Sequence, residues 1–171
     1  MIRIAVVTIS DAASAGMRED RSGPALQARA AELGWEVQSS CVISDDRENI
    51  SHVLTGLCED GVDVILTTGG TGVAPRDVTP EAVRAIADKE IPGFGELMRS
   101  QGRKSTKFAS LSRGLAVSRG QVLILALPGS PGGAVDSLNA VAELIPHAVD
   151  LLHDRTEHRP KPPSQGEHLL G

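Results

Sequence analysis

With 171 residues, 40% of them hydrophobic, the chain is long enough to bury one good core and fits a single domain. Its net charge of −5, with no Tyr, two Phe and one Trp, withholds both the basic field and the aromatic stacking platforms that nucleic-acid binders use. Uncharged apolar stretches fall far short of the roughly 20 residues a membrane helix needs, and Met1-Ile2-Arg3-Ile4 runs into a strand pattern rather than a signal peptide. The expectation is a cytoplasmic protein of small-molecule chemistry, with no nucleic acid and no membrane as partner. Cys41 and Cys58 form no Cys-x-x-Cys pair and have no clustered His, so both are expected to be core thiols.

Arg3 to Ile9 is a β-branched run and reads as the first strand. The polar segment Ser10–Arg21 follows, in which Ser10-Asp11 and Ser14-Ala15-Gly16 offer short donors and acceptors, as a solvated loop also does. Ser22 is expected to cap a helix marked by Leu26, Ala30 and Leu33 and closed by Gly34. The extended pattern resumes from Trp35 to Ile43. Ser44-Asp45-Asp46 then stands before a strongly periodic helix with Ile50, Val53, Leu54, Leu57 and Cys58 on one face. Asp45 and Asp46 are each candidates for its cap, and His52 has no assigned role.

The centre of the chain is Val62 to Pro80. Val64-Ile65-Leu66 reads as an interior parallel strand, ending at once in Thr67-Thr68-Gly69-Gly70-Thr71-Gly72. Three glycines in four residues admit positive φ and close approach of backbone to a ligand, so successive amides can form a cradle for an anion such as phosphate. Taken alone, the same glycines also read as a tight surface turn. The segment is neither a dinucleotide fingerprint nor a Walker loop, since no glycine stands three residues after Gly72 and no Gly-Lys-Ser/Thr follows. Asp77 is the acid of this loop. Thr79-Pro80 reads as an N-cap with proline at the first helical position, and the helix is expected to carry both Glu81 and Asp88.

A short helical segment at Ile91–Arg99 precedes a basic stretch of Arg99, Arg103, Lys104, Lys107 and Arg113, which reads as a solvated face or as a focus for an anionic ligand. Leu115–Gly120 is a short strand and turn. Val122–Leu127 is a second buried parallel strand, followed by the loop Pro128-Gly129-Ser130-Pro131-Gly132-Gly133 and a helix with apolar positions from Val135 to Val149. Alternating strands and helices give an α/β chain, a three-layer α/β/α fold with a mostly parallel central sheet. Residues 1–153 form the expected domain, and 154–171, with Pro160, Pro162 and Pro163, an expected mobile tail.

These motifs together resemble the molybdopterin adenylyltransferases of molybdenum cofactor biosynthesis, the MogA and MoaB group, and the gephyrin G domain. The matching pieces are Thr8-Ile9-Ser10-Asp11 with Ser14-Ala15-Gly16, Ser44-Asp45-Asp46, Thr67 through Gly72, Pro75 through Ala82, Pro92-Gly93-Phe94, Leu111-Ser112-Arg113 and Leu127 through Pro131. In that family the terminal phosphate of molybdopterin attacks the α-phosphorus of ATP in the presence of Mg²⁺. Carried over, the two family acids fall on Asp45 and Asp77, as catalytic residues and Mg²⁺ ligands. Binding of molybdopterin and ATP falls on Ser10, Ser14, Thr68, Gly69, Gly70, Thr71, Gly72, Ser112, Pro128, Gly129 and Ser130. The resemblance also implies a homotrimer and a contact with the molybdenum-insertion enzyme. Thr106-Lys107 stands where members often carry Thr-Pro, and Gly102 where some carry serine. A catalytically silent molybdopterin-binding carrier is the alternative within the same fold, and retention of both acids favours the enzyme.

Overall fold

The computed structural model describes residues 1–155, so the expected tail lies, from residue 156 onward, outside the described residues. Strands β1 (Arg3–Ile9), β2 (Glu36–Ile43), β3 (Val64–Thr68), β4 (Lys89–Glu90), β5 (Leu115–Arg119) and β6 (Val122–Leu127) form one sheet in the order β2-β1-β3-β6-β5-β4. β1 pairs in parallel with β2 and β3, and β3 in parallel with β6. β3 and β6 are buried at every position, which is why Val64-Ile65-Leu66 and Val122–Leu127 are apolar runs rather than alternating ones, β3 closing on the buried Thr67 and Thr68.

Helices α1 (Asp11–Ser14), α2 (Ser22–Glu32), α3 (Arg47–Glu59), α4 (Thr79–Ile86), α5 (Pro92–Gly102), α6 (Pro131–Val141) and α7 (Ile145–Leu152) connect the strands. One face of the sheet packs Leu26 and Ala30 of α2, Phe94 and Met98 of α5, Leu138 of α6 and Ile145 of α7 against Ile4, Leu66, Leu123 and Leu125. The other packs Ile50 and Leu54 of α3 and Ala82 and Val83 of α4 against Val7, Ile65 and Ile124. Helices on both faces of a mostly parallel sheet are the expected three-layer architecture.

Several local expectations change. β5 runs antiparallel to both its neighbours, because it joins β6 through a tight turn in which Gly120 has φ +54. The two-residue β4 is too short to leave a pattern, and the helix stops short of the expected Asp88: α4 ends at Ile86, and Asp88 lies between it and β4, accepting from the Gly120 amide. The single helix expected from Val135 to Val149 is two, with Pro146 in the first turn of α7. Ser22 does not cap α2; the Asp20 carboxylate accepts from Gly23 N instead. Thr79 is the first residue of α4 rather than its side-chain cap, and its hydroxyl is used elsewhere. Asp46, not Asp45, caps α3 by accepting from Asn49 N. The core-thiol expectation fails for Cys41, which is exposed on the edge strand β2, while Cys58 is half-buried and packs against the core from α3.

Candidate active site

The chain passes from β1 outward to β2 and then back across to β3, so the connections leaving β1 and β3 diverge and open a crevice at the carboxyl ends of the strands. Loops after Ile9, Ile43, Thr68 and Leu127 meet there, joined by the segment Ser112–Gly114 entering the antiparallel β5.

The loop Gly69–Gly72 is fixed by its carbonyls. Thr79 Oγ1 donates to Gly69 O at 2.9 Å, and Thr79 N to Gly70 O at 3.1 Å. Arg113 N donates to Thr71 O at 2.7 Å, and Arg113 Nε to Gly72 O at 2.7 Å. Gly69 N is itself committed to Leu127 O. Among the described residues the amides of Gly70, Thr71 and Gly72 donate to no protein group. Every carbonyl of the loop is tied inward while three consecutive donors stay free, which is the arrangement an anion cradle requires.

Positive φ is used at Gly69 (+105) and Gly70 (+67) but not at Gly72. Gly72 is needed for space instead, since a Cβ there would lie 2.6 Å from Asp77 Oδ2. A Cβ on Gly70 would run into Thr79 Oγ1 and lie 3.0 Å from Asp45 Oδ1. The two acids therefore flank the glycine loop from opposite ends, Asp45 over Gly70 and Asp77 against Gly72.

Asp77 Oδ2 also accepts from Ala74 N at 2.9 Å, which curls its loop back on itself. Asp45 is held by Asp11: its Oδ2 accepts from Asp11 N, and its own amide donates to Asp11 Oδ1. Asp11 is in turn gripped by Arg76, whose Nε and Nη2 both donate at 2.9 Å. Burial pushes the Asp45 carboxyl up from its ordinary range; its bond from the Asp11 amide pulls the other way, and the like charges of Asp11 and Asp77 add to the rise. The Arg76 guanidinium holds Asp11 low. A desolvated carboxylate facing like charge is relieved by a cation.

Two cavities open near the carboxyl ends of β3 and β6, and only the larger takes in part of the glycine loop, Thr71 and Gly72. The larger, about 550 Å³, has Met98, Phe108 and Leu111 among its walls, with Thr71, Gly72, Ser112 and Pro128 on the loop side. The smaller, about 320 Å³, is bordered by Ser10, Arg18, Arg21 and Thr68. Gly129 and Ser130 line both, and Thr68 Oγ1 fixes their loop by donating to Pro128 O at 2.7 Å. Of the residues singled out in the sequence, Asp45, Gly69, Gly70 and Asp77 border neither cavity, nor does Ser14, which is exposed at the end of α1, while Ser10 caps α1 through Ala13 N.

Arg113, Arg99, Asp11 and Arg76 are the residues that pattern reading undervalued. Arg113 belonged to a basic stretch, yet its guanidinium faces inward to Gly72 O, Asp77 O and the Glu81 carboxylate. Arg99 is likewise no free surface charge, donating to Gly114 O at 2.8 Å. Three of them stood inside motifs already quoted for the family likeness, Asp11 in Thr8-Ile9-Ser10-Asp11, Arg76 in Pro75 through Ala82 and Arg113 in Leu111-Ser112-Arg113, but were given no binding or catalytic role there. Arg99 carried no such mark.

Comparison with known proteins places this architecture. Residues 5–147 match the family described as "Probable molybdopterin binding domain". The molybdopterin adenylyltransferase of Helicobacter pylori strain J99 is 41% identical over 157 residues, 88% of each chain. The molybdopterin adenylyltransferase of Escherichia coli K12 is 42% identical over 146 residues, covering 83% of this chain and 74% of that one. The crystal structure of the molybdopterin biosynthesis enzyme MoaB from Thermus thermophilus superimposes with a TM-score of 0.85 at 45% identity, covering 90% of this chain and 98% of that one.

Proposed function

This chain belongs to the probable molybdopterin binding domain family, and we propose that it is a molybdopterin adenylyltransferase, moving AMP from ATP to the terminal phosphate of molybdopterin with release of pyrophosphate. The observation that carries this reading is the glycine loop with its carbonyls tied to Thr79 and Arg113, its amides at Gly70, Thr71 and Gly72 free, and a carboxylate at either end.

In the proposed reaction an oxygen of the molybdopterin phosphate forms a bond to the α-phosphorus of ATP while the bond from that phosphorus to the β-phosphate oxygen breaks. The nucleophile is already an anion, so no general base is needed and the protein's task is to position two anions and offset their repulsion. The free amides at Gly70–Gly72 bind phosphate oxygens. The large cleft, with Met98, Phe108 and Leu111 for the flat ring and Ser112 and Ser130 for its polar edge, takes the pterin, and Thr71 and Gly72 in its wall bring it beside the cradle.

Asp45 and Asp77 fit a hard divalent cation. Both supply carboxylate oxygen, and burial disfavours Asp45 as an isolated anion; with no group of three or more His, Cys, Asp or Glu able to hold a metal ion among the described residues, the remaining ligands would have to come from substrate and water. Two carboxylates suit Mg²⁺, which keeps waters and substrate phosphates as its other ligands. Bound there, Mg²⁺ would neutralise charge on the nucleotide phosphates. Asp11 and Arg76 then act by holding Asp45 in place. The chain is proposed to work as a homotrimer and to pass its product to the molybdenum-insertion enzyme.

The test is incubation with molybdopterin, Mg²⁺ and ATP. Adenylylated pterin and stoichiometric pyrophosphate are expected. Pterin binding with no pyrophosphate would identify the silent carrier instead.

A further inference from the structure

The segment before β5 has two jobs in one stretch of chain. Leu111, Ser112 and Gly114 line the large cleft, while the residue between them, Arg113, turns away from it. The Arg113 guanidinium uses all three of its nitrogens on different acceptors: Nε on Gly72 O at 2.7 Å, Nη2 on Asp77 O at 2.7 Å, and Nη1 on the Glu81 carboxylate. Its amide adds Thr71 O at 2.7 Å. Two of these carbonyls bracket the Gly72–Asp77 loop, and Glu81 anchors the fork to the first turn of α4.

We propose that Arg113 is a positioning residue for Asp77, fixing that carboxylate relative to the free amides at Gly70–Gly72 and to the wall of the cleft. The inference rests on the reading of Asp77 given above. Gly72 O and Asp77 O have no other partner among the described residues. Without the fork, the carbonyls at both ends of the Gly72–Asp77 loop lose their bonds to Arg113 and, through it, their link to Glu81, and the Asp77 side chain has only its local bond from Ala74 N. Lysine does not replace arginine here, because one ammonium cannot serve three acceptors in a plane.

The test is a double-mutant cycle on Arg113→Met and Asp77→Asn, with Arg113→Lys alongside, read by kcat, KM for the pterin substrate, calorimetric affinity for Mg²⁺·ATP, and thermal unfolding. Arg113→Met is expected to lower kcat by a factor on the order of ten to a hundred, since a small misplacement of a positioning group carries that cost. The pterin KM should stay within about twofold because the cleft side chains are untouched, and Arg113→Lys should not restore kcat. In the Asp77→Asn background Arg113→Met should have little further effect. Effects that multiply, or a Lys variant at the wild-type rate, overturn the proposal. If Arg113→Met does not fold, Glu81→Gln releases the same fork more gently and takes its place in the cycle. Wild-type turnover by Asp77→Asn alone would instead overturn the underlying reading of Asp77. Should the wild-type protein transfer no AMP, the same cycle on Mg²⁺·ATP affinity decides the point, additive losses counting against Arg113.

Discussion

Asp11 and Asp45 hold each other by their backbones: the Asp11 amide donates to Asp45 Oδ2 at 2.8 Å, and the Asp45 amide donates to Asp11 Oδ1 at 3.0 Å. The loop after β1 is thereby stitched to the loop after β2, with two carboxylates drawn close at the mouth of the crevice. Arg76 offsets the charge of Asp11, while the carboxyl of Asp45, partly buried and without a direct cationic partner among the described residues, is left raised above its ordinary range.

Asp45→Asn is therefore expected to lose turnover yet keep or gain stability. The amide oxygen of asparagine still accepts from Asp11 N, while the desolvated charge disappears. The folded-state pKa of Asp45 is raised, so its contribution to stability is present below the unfolded pKa and is lost as pH rises through the folded one. The variant has no such loss. Its melting temperature relative to wild type should increase from pH 3 to pH 7, and a constant or falling difference would contradict the assignment.

Asp77→Asn tests the other acid. Loss of charge should lower pyrophosphate release by a factor on the order of a hundred or more. Asparagine retains an acceptor for Ala74 N, so the stability change should not exceed about 1 kcal/mol. Molybdopterin binding should persist, since the cleft walls lie elsewhere. A variant unstable but fully active would make Asp77 a turn residue only.

Gly102 stands under a steric demand that its place in the cleft wall explains. A Cβ there would lie 2.8 Å from the Cβ of Ala109, where the end of α5 meets the short 3-10 turn Lys107–Leu111. Gly102→Ser is expected to cost about 1–2 kcal/mol through overpacking and to weaken pterin binding by shifting that turn. Ala109→Gly in the same chain should recover most of both. Failure of the second change to rescue the first would show that the contact is not the cause.

The thiols should be chemically quiet. Burial pushes the Cys58 thiol up to about 11, so at pH 8 only about one molecule in a thousand carries the reactive thiolate. Cys41 is exposed, although its thiol is also raised by its surroundings. Iodoacetamide should label Cys41 before Cys58 without loss of activity; early inactivation would point to a thiol in the site.

Assembly as a homotrimer is checked by light scattering at micromolar concentration. A monomer would remove that expectation and leave the site residues unaffected.

Periodicity alone carried the alternation of strands and helices, because buried parallel strands must be apolar throughout and amphipathic helices must repeat at helical spacing. Val64-Ile65-Leu66 and Val122–Leu127 announced the sheet interior, and the glycines after each announced loops at its carboxyl edge. Motif likeness singled out Asp45 and Asp77. What the chain order could not supply was anything depending on contacts between residues distant in sequence. The direction of β5 is decided by its hairpin with β6, and the division of labour between Asp45 and Asp46 by a partner 34 residues earlier. Arg113 stood in a basic run and in the Leu111-Ser112-Arg113 motif without a partner, and only the fold brings it against carbonyls 36 and 41 residues upstream. Sequence records what a residue is able to bond; which carbonyl, amide or carboxylate it meets is settled by the packing of helices and strands that place it.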